Sequence, residues 1–278
     1  MKPTITIIIS TYGDRIKELQ ESCYPILNNV CYLIIWQRPI VEFSEDWIEK
    51  RSDFSLLESN EIGLSKSRNL GVSSANSEYC LITDDDTEII REGLRKLLKY
   101  IKKNKIKNMI IVKVLNSKEE EFRAYNNFES EGISLKRRIL SVCSVEMCFP
   151  KELWEKQKFN ENIGLGTSYP VGEDTIFNYG LYMQNVTFEM FKNHVIKLHD
   201  DNHTGESRSP KVLYTKGIIA AYVWKLNPLF IVNKIYEFFI SLFMLKYEER
   251  YYFKGLVDYI FCSSKYRKIL EGKTDRIT

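Results

Sequence analysis

The segment YCLITDDDT, residues 79–87, decides the fold because it joins an apolar run to an abrupt cluster of charge. The apolar part is typical of a strand that is buried on both faces of a sheet. Three adjacent carboxylates follow it, Asp84, Asp85 and Asp86. Ligands of open α/β sheets lie at the carboxyl ends of the strands. The segment therefore predicts a central strand with a binding site at its end.

Outward from this segment, strand-like and helix-like runs alternate. Apolar runs that predict strands cover residues 4–10, 32–36, 54–57 and 109–115. Helices are predicted after Gly13-Asp14 to about residue 27, over residues 64–75, and from residue 89 to about residue 101. This alternation predicts the α/β class, with a mostly parallel sheet covered by helices on both faces.

The second half of the chain is less regular. Residues 117–170 are predicted to be irregular, followed by a short helix over 177–183 and a strand over 195–198. From residue 212 the sequence favours long, aromatic-rich helices. We therefore predict a first domain over residues 1–209 and a C-terminal amphipathic helical region over residues 210–278.

Composition excludes several classes of protein. The 278 residues carry 40 Lys and Arg against 37 Asp and Glu, a net charge of 40 − 37 = +3, which excludes a strongly basic nucleic-acid binder. The content of 13 Gly, 7 Pro and 13% aromatic residues excludes a disordered chain. The six cysteines form no CxxC pair, and no apolar run approaches the roughly 20 residues of a membrane span. We expect a cytoplasmic protein.

The three aspartates predict a cation, because adjacent carboxylates repel one another. Hard oxygen ligands of this kind suit Mg²⁺ or Mn²⁺, which also bridge phosphate oxygens. A solvated acidic turn that caps the next helix is the alternative.

Three further motifs accompany the acidic segment. The first is Ser10-Thr11-Tyr12, which ends the first strand, and the second is the segment NEIGLSKSRNLG, residues 60–71. The third, Gly172-Glu173-Asp174, lies about ninety residues downstream of the three aspartates. In this order and spacing, the motifs resemble those of family-2 glycosyltransferases of the GT-A fold. The resemblance covers about residues 3–205. It implies that the first domain is a GT-A domain that binds a nucleotide-sugar and carries out catalysis.

The resemblance implies a nucleotide-diphosphate sugar as donor, with a UDP-hexose expected. Thr11, Tyr12 and Arg15 would lie against the base and ribose, and Arg68 would neutralise the diphosphate or hold the acidic motif. Gln37 stands near the position where family members often carry an acidic residue that recognises uracil. The donor-binding residues implied in this way are Thr11, Tyr12, Arg15, Gln37, Gly63, Ser67, Arg68, Asp84 and Asp85. For Arg68, a surface ion pair with Glu61 or Glu78 is the alternative.

The metal ligands and the base also follow from the resemblance. Asp86 would bind Mn²⁺ or Mg²⁺, with a histidine as a further ligand, for which His199 is favoured over His203. Asp174 would be the general base that takes the proton of the acceptor hydroxyl during inversion, and Glu173 is the competing candidate.

The expected acceptor is a glycan or a lipid-linked saccharide in surface polysaccharide synthesis, with no nucleic-acid partner. Residues 91–118 carry ten basic side chains and one acidic side chain. With the amphipathic stretches 229–245 and 251–261, they predict peripheral contact with anionic lipid at the inner face of the cytoplasmic membrane. The aromatic helices are equally suited to a homodimer interface or to packing on the first domain.

Two other functions remain open from the sequence. The first is a nucleotidyltransferase or phosphotransferase with a two-metal site at the acidic strand end, although the sequence has no GxxxxGK[ST] loop. The second is a non-catalytic partner subunit that retains the fold.

Overall fold

The computed structural model describes residues 2–39, 46–125, 135–199, 208–224 and 249–272. It divides into two compact units. The first unit comprises Met1–Phe159 and Phe177–Asp201, and the second comprises Asn160–Ile176 and Asn202–Thr278.

The first unit is built on a sheet of eight strands among the described residues. In chain order the strands are β1 (Ile5–Tyr12), β2 (Val30–Gln37), β3 (Phe54–Ser59), β4 (Tyr79–Asp84), β5 (Thr87–Ile89), β6 (Met109–Leu115), β7 (Met147–Pro150) and β8 (Phe188–Leu198). Their order in the sheet is β3-β2-β1-β4-β7-β6-β8-β5. Strands β1 to β4 are parallel to their neighbours in this group, whereas β7 runs antiparallel to both β4 and β6.

Helices cover the sheet, and three more lie in the described part of the second unit. The helices are α1 (Asp46–Lys50), α2 (Leu64–Ser74), α3 (Arg91–Asn104), α4 (Leu135–Leu140), α5 (Lys151–Lys156), α6 (Glu173–Met183), α7 (Pro210–Val223), α8 (Glu249–Phe261) and α9 (Ser263–Leu270). The predicted α/β class, with strands and helices alternating along the first half of the chain, is confirmed.

The core of the first unit has two parts, because alternate residues of a strand face opposite sides of the sheet. Ile7 and Ile9 of β1 pack in one cluster with Leu94 and Leu97 of α3. Ile8 packs in the other cluster, together with residues of α2, α5 and α6. Helices therefore lie on both faces of the sheet, as the alternating pattern predicted.

Two predictions of secondary structure were wrong. Residues after Gly13 do not form an α-helix but two short 3₁₀ turns, Gly13–Glu18 and Glu21–Cys23. The buried side chains Ile16 and Leu19 are three residues apart, which matches the three-residue turn of a 3₁₀-helix. Residues 117–170, predicted to be irregular, contain α4, β7 and α5. These elements have only four to six residues, too few to show a hydrophobic period.

The second unit joins α7, α8 and α9 to the loop Asn160–Ile176. Gly217 of α7 and Gly255 of α8 let the two backbones approach closely, since a Cβ at either position would collide with a carbonyl oxygen of the other helix. The Asn160 Nδ2 donates to the carbonyl oxygens of Ile269 and Leu270 at 2.7 and 2.8 Å. The loop is thus tied to the end of α9.

The predicted C-terminal helices are present over the described part of this region, whereas the amphipathic stretch 229–245 lies outside the described residues. Within the described residues, no helix is long and apolar enough to cross a membrane.

Candidate functional site

The carboxyl ends of four parallel strands meet at one edge of the sheet. Ser10 of β1 is paired with Asp84 of β4, and Tyr12 of β1 is paired with Gln37 of β2. Gln37 is paired in turn with Ser59, the last residue of β3. The ends of the predicted strands therefore bring the first two motifs and the acidic segment to one place.

The acidic residues lie in a tight turn between β4 and β5. The Oγ1 atoms of Thr83 and Thr87 are 2.6 Å apart, and Thr87 Oγ1 donates to the carbonyl oxygen of Asp84 at 2.9 Å. The backbone N–H of His199 donates to the carbonyl oxygen of Asp86 at 2.9 Å. Hydrogen bonds on both sides thus fix the backbone that carries the aspartates.

The three aspartates have different surroundings. The side chain of Asp85 is buried and accepts hydrogen bonds from the guanidinium of Arg15, whose Nε lies 3.0 and 3.1 Å from its two oxygens. Those of Asp84 and Asp86 are 31% and 35% exposed. Asp85 is therefore an internal partner of Arg15, while the two flanking carboxylates reach solvent.

The carboxyl group of Asp86 has a shifted pKa. Burial, followed by the like charges of Asp84 and Asp85, raises the pKa of Asp86 to about 6, although Arg15 opposes the shift. A divalent cation would remove this repulsion.

Arg68 is buried beside the turn rather than on the surface, which excludes the surface ion pair with Glu61 or Glu78. Its exposed fraction is 1%, and its Nη2 lies 3.5 Å from Asp84 Oδ1 and 2.8 Å from Ser144 Oγ. The neighbouring residue, Ser67, donates from its Oγ to the Oγ of Ser10 at 2.8 Å. Helix α2 is thereby fixed to the end of β1.

The remaining residues predicted to bind the donor line the same strand ends. Tyr12 is 41% exposed, whereas Thr11 is 3% exposed and its Oγ1 has no hydrogen-bond partner among the described residues. The Gln37 Nε2 donates to the carbonyl oxygens of Glu61 and Gly63 at 2.8 and 3.1 Å. Gln37 thus holds the loop before α2, and its contact with a base stays a prediction.

Of the two histidines that are candidates for a metal ligand, the structure describes one, His199. The Nε2 of His199 lies 3.6 Å from Glu88 Oε2 and 3.9 Å from Cys23 Sγ. The alternative ligand, His203, lies outside the described residues. The role of His199 as a metal ligand stays a prediction.

The acidic turn fits a shared cation better than a protein-only metal centre. Over the described ranges, no group of three His, Cys, Asp or Glu side chains could hold a metal ion. Mg²⁺ and similar ions are commonly held by one or two carboxylates together with substrate phosphates. Asp86 and Asp84, which are partly exposed and two residues apart, suit that arrangement.

The predicted base belongs to the second unit. Helix α6 begins at Glu173, and the preceding Gly172 has φ +92°. A Cβ on Gly172 would collide with Ile219 of α7, so the start of the helix packs tightly on α7. Glu173 is buried, while Asp174 is partly exposed. Of the two carboxylates, Asp174 is the more accessible.

The sequence patterns missed the residues that hold Arg68. Ser144 contacts the guanidinium directly, and Glu146 is completely buried two residues later. These residues are more than seventy positions from Arg68 in the chain, and no local motif marks them.

The chain is similar to known glycosyltransferases. Residues 38–167 match the model of the family described as Glycosyl transferase family 2. An uncharacterized glycosyltransferase of Methanocaldococcus jannaschii is 30% identical over 114 residues, which cover 37% of this chain and 39% of that protein. The family match includes the acidic turn and the helix of Arg68, and ends before Glu173 and Asp174.

Solved structures show the same fold. The crystal structure of S. aureus TarS 1-349 in complex with UDP-GlcNAc has a TM-score of 0.64 and 15% identity, over 96% of this chain and 81% of that chain. The complex of the same protein with UDP has a TM-score of 0.58 and 16% identity, over 78% and 64%.

The match spans about two fifths of the archaeal relative, and at these identities the TarS structures establish the fold alone. The resemblance inferred from the motifs is confirmed. Residues 38–167 of this chain match the model of glycosyl transferase family 2, and its structure is similar to that of GT-A glycosyltransferases.

Proposed function

We propose that this protein is an inverting glycosyltransferase that moves a sugar, of the hexose type, from a nucleotide-diphosphate donor to an acceptor hydroxyl. One observation carries the proposal. At the carboxyl ends of β1 and β4, Arg15 neutralises Asp85, while Asp84 and Asp86 are partly exposed and the buried cation of Arg68 lies beside Asp84. The aspartates and Arg68 lie within the residues that match the model of glycosyl transferase family 2, whereas Arg15 precedes them.

The donor would lie along the ends of the parallel strands. The exposed ring of Tyr12 is suited to stack on a base, with Thr11 and Gln37 beside it. Arg68 would offset the charge of the diphosphate, and Asp84 would contact the ribose or the sugar. Complexes of the TarS structures with UDP and UDP-GlcNAc support a uridine diphosphate sugar as the donor.

A divalent cation, Mn²⁺ or Mg²⁺, would be held by Asp86, with His199 as a candidate further ligand. When bound, the ion would neutralise charge that develops on the leaving diphosphate. The neighbouring charges of Asp84 and Asp85 support this role, because a cation would offset the repulsion among the three carboxylates.

Asp174 would take the proton from the acceptor hydroxyl as that oxygen attacks the sugar carbon and the bond to the diphosphate breaks. Its partial exposure favours it over the buried Glu173, which would orient the acceptor. The acceptor class is a glycan or a lipid-linked saccharide in surface polysaccharide synthesis.

The first test is calorimetric binding of UDP, GDP, CDP and dTDP, each with and without Mn²⁺. We expect one nucleotide to bind only with Mn²⁺, and Asp86→Ala to abolish that binding. Asp46→Ala is the matched control, because Asp46 is exposed and paired only with Lys50 in the contacts described here. A folded protein that binds no nucleoside diphosphate would contradict the proposal and favour the non-catalytic partner subunit.

Contact with the inner face of the cytoplasmic membrane would be made by the basic face of α3. Leu94, Leu97, Leu98 and Ile101 are buried on the opposite side of this helix. The exposed cations of the helix are Arg91, Arg95, Lys96, Lys99, Lys102 and Lys103. Each Lys or Arg near an anionic bilayer contributes about 1 kcal/mol.

Sedimentation with vesicles tests this contact. Vesicles containing phosphatidylglycerol should bind the protein, and vesicles of phosphatidylcholine alone should not. Lys99→Glu with Lys103→Glu should weaken binding by about thirtyfold, from the loss of two cations. Lys50→Glu with Lys156→Glu is the control, with the same change in charge on other exposed helices. Equal loss of vesicle binding in the two double variants would show that binding depends on net charge alone and not on α3.

A further inference from the structure

We propose that the turn at Ser144–Glu146 is a positioning element for the donor site, in which Ser144 holds the Arg68 guanidinium against the acidic turn and Glu146 holds Ser144 in place. This inference rests on the proposed function, because its effect is exerted on a nucleoside diphosphate. The residues involved all belong to the first unit.

Sheet topology explains why this turn lies beside the aspartates. Strand β7 is antiparallel to β4, with Tyr79 paired to Pro150 and Leu81 paired to Cys148. Residues that precede β7 therefore run alongside the carboxyl end of β4. Ser144 reaches Arg68 from that position, although 76 residues separate them in the chain.

A single nitrogen of Arg68 makes both contacts. Its Nη2 lies 2.8 Å from Ser144 Oγ and 3.5 Å from Asp84 Oδ1. The guanidinium carbon also lies 5.8 Å from the centre of the Phe159 ring. Because the hydroxyl of Ser144 fixes this nitrogen, it determines where the cation stands relative to Asp84.

A buried carboxylate fixes the turn that carries Ser144. Glu146 Oε2 accepts from the backbone N–H of Cys143 at 2.7 Å and pairs with Arg123 Nη2 at 2.9 Å. Its Oε1 accepts from the Tyr125 hydroxyl at 2.9 Å, and that hydroxyl accepts from the N–H of Val114 on β6 at 2.9 Å. Donors from two segments of the chain thus surround the carboxylate, and a third segment fixes the Tyr125 hydroxyl.

The cost of burying Glu146 argues for a specific role. Its exposed fraction is 0%, and a buried ion pair is often no more stabilising than apolar residues of the same volume. Such a network does supply a defined geometry, because each of its members has one favourable position. Here the network fixes the position of the Ser144 hydroxyl, which contacts Arg68.

The decisive variant is Ser144→Ala, which removes one oxygen and leaves Glu146 and its partners unchanged. Calorimetric affinity for UDP with Mn²⁺ should fall about tenfold, as expected for a hydrogen bond to a charged group. Ser144→Thr, which keeps the hydroxyl, should restore the affinity to within about twofold. Ser141→Ala is the control, since its exposed hydroxyl donates to the carbonyl oxygen of Arg138.

A ligand-free measurement separates this proposal from the proposed function. Hydrogen exchange of the Arg68 guanidinium, followed by NMR, should accelerate at least tenfold in Ser144→Ala and not in Ser141→Ala. Tyr125→Phe should give a smaller acceleration, because it removes one of the donors to Glu146. Ser144→Ala and Tyr125→Phe should also lower the stability of the fold, because each removes a hydrogen bond to a buried charged group. Ser144→Thr distinguishes the positioning role, because its hydroxyl should return Arg68 exchange to the wild-type rate.

The outcomes are distinguishable. Wild-type affinity and unchanged Arg68 exchange in Ser144→Ala would overturn the positioning role while the proposed function stands. A wild-type protein that binds none of the nucleoside diphosphates, yet shows faster Arg68 exchange in Ser144→Ala, would overturn the proposed function and the donor role together. Weakened UDP binding with restored affinity in Ser144→Thr would support both.

Discussion

The two units hold their functional segments by different means. In the first unit, the acidic turn is surrounded by paired charges, with Arg15 on Asp85 and Arg68 beside Asp84. In the second unit, neutral contacts help to hold the loop before α6, such as the Asn160 amide on the end of α9 and the packing of Gly172 on Ile219. The charged groups of the first unit are suited to binding a charged ligand, while the neutral contacts of the second unit fix the position of the loop before α6.

Under the proposed function, this difference predicts that donor binding and transfer to the acceptor can be separated by mutation. Variants of the first unit should change the binding of a nucleoside diphosphate. Variants of the second unit should change transfer to an acceptor and leave nucleotide binding intact. Each prediction below would break or sharpen that separation.

The largest expected effect is that of Asp174→Asn in the second unit. Loss of a general base lowers the transfer rate by about 10² to 10⁴-fold. Calorimetric affinity for UDP with Mn²⁺ should stay within about twofold of the wild type, because the donor site lies in the first unit. Full transfer by Asp174→Asn together with its loss in Glu173→Gln would reassign the base to Glu173.

Arg15→Ala should destabilise the first unit, because it leaves the Asp85 carboxylate buried without its guanidinium partner. The free energy of unfolding in urea should fall by about 2 kcal/mol, a value reduced by the partial exposure of Arg15. Lys50→Ala is the control, since it breaks an exposed ion pair with Asp46. An equal loss of unfolding free energy in both variants would show that the Arg15–Asp85 pair stabilises the fold no more than an exposed ion pair does.

Gly255→Ala should disturb the second unit selectively. The added Cβ would collide with the carbonyl oxygen of Tyr214 on α7, and overpacking of this kind costs about 1–3 kcal/mol. Thermal unfolding should show the loss, while UDP affinity should be retained. Gly180→Ala in α6 is the control, because its Cβ would meet only the flexible side chain of Gln157. Loss of UDP affinity in Gly255→Ala would contradict the separation of the two units.

The smallest expected difference between the two units is in the rate at which their cysteines react, and we expect it to leave function unchanged. Cys262 of the second unit is exposed, whereas Cys80 and Cys148 in the sheet are buried. Burial raises the pKa of Cys80 to about 12 and raises that of Cys148 further, so both stay neutral thiols at pH 8. Because the thiolate is the reactive form, a disulfide reagent at pH 8 should modify Cys262 first.

The control for this measurement is Cys262→Ser, which should remove the fast phase and leave the slow one. The two buried thiols should stay slow when the pH is raised from 8 to 10, since burial raises their pKa values. Rapid modification of Cys80 in the folded protein would show that the sheet opens readily.

The acidic turn shows how much of the site was predictable. Strand β4 was predicted because its apolar run is local, and the aspartates that follow it are contiguous in the chain. The different surroundings of Asp84, Asp85 and Asp86 were not predictable. They depend on Arg15, which is seventy residues away and reaches Asp85 only when β1 pairs with β4.

Sequence alone therefore determined the α/β class, the family resemblance and the candidate residues, because hydrophobic period and short motifs are local properties of the chain. Only the tertiary structure decided that Asp85 is an internal partner of Arg15 and that Arg68 is buried against Ser144. Both results depend on the order and direction of the strands. Strand β7, with four residues, places Ser144 beside β4, and such a position is fixed by pairing between distant segments rather than by local pattern.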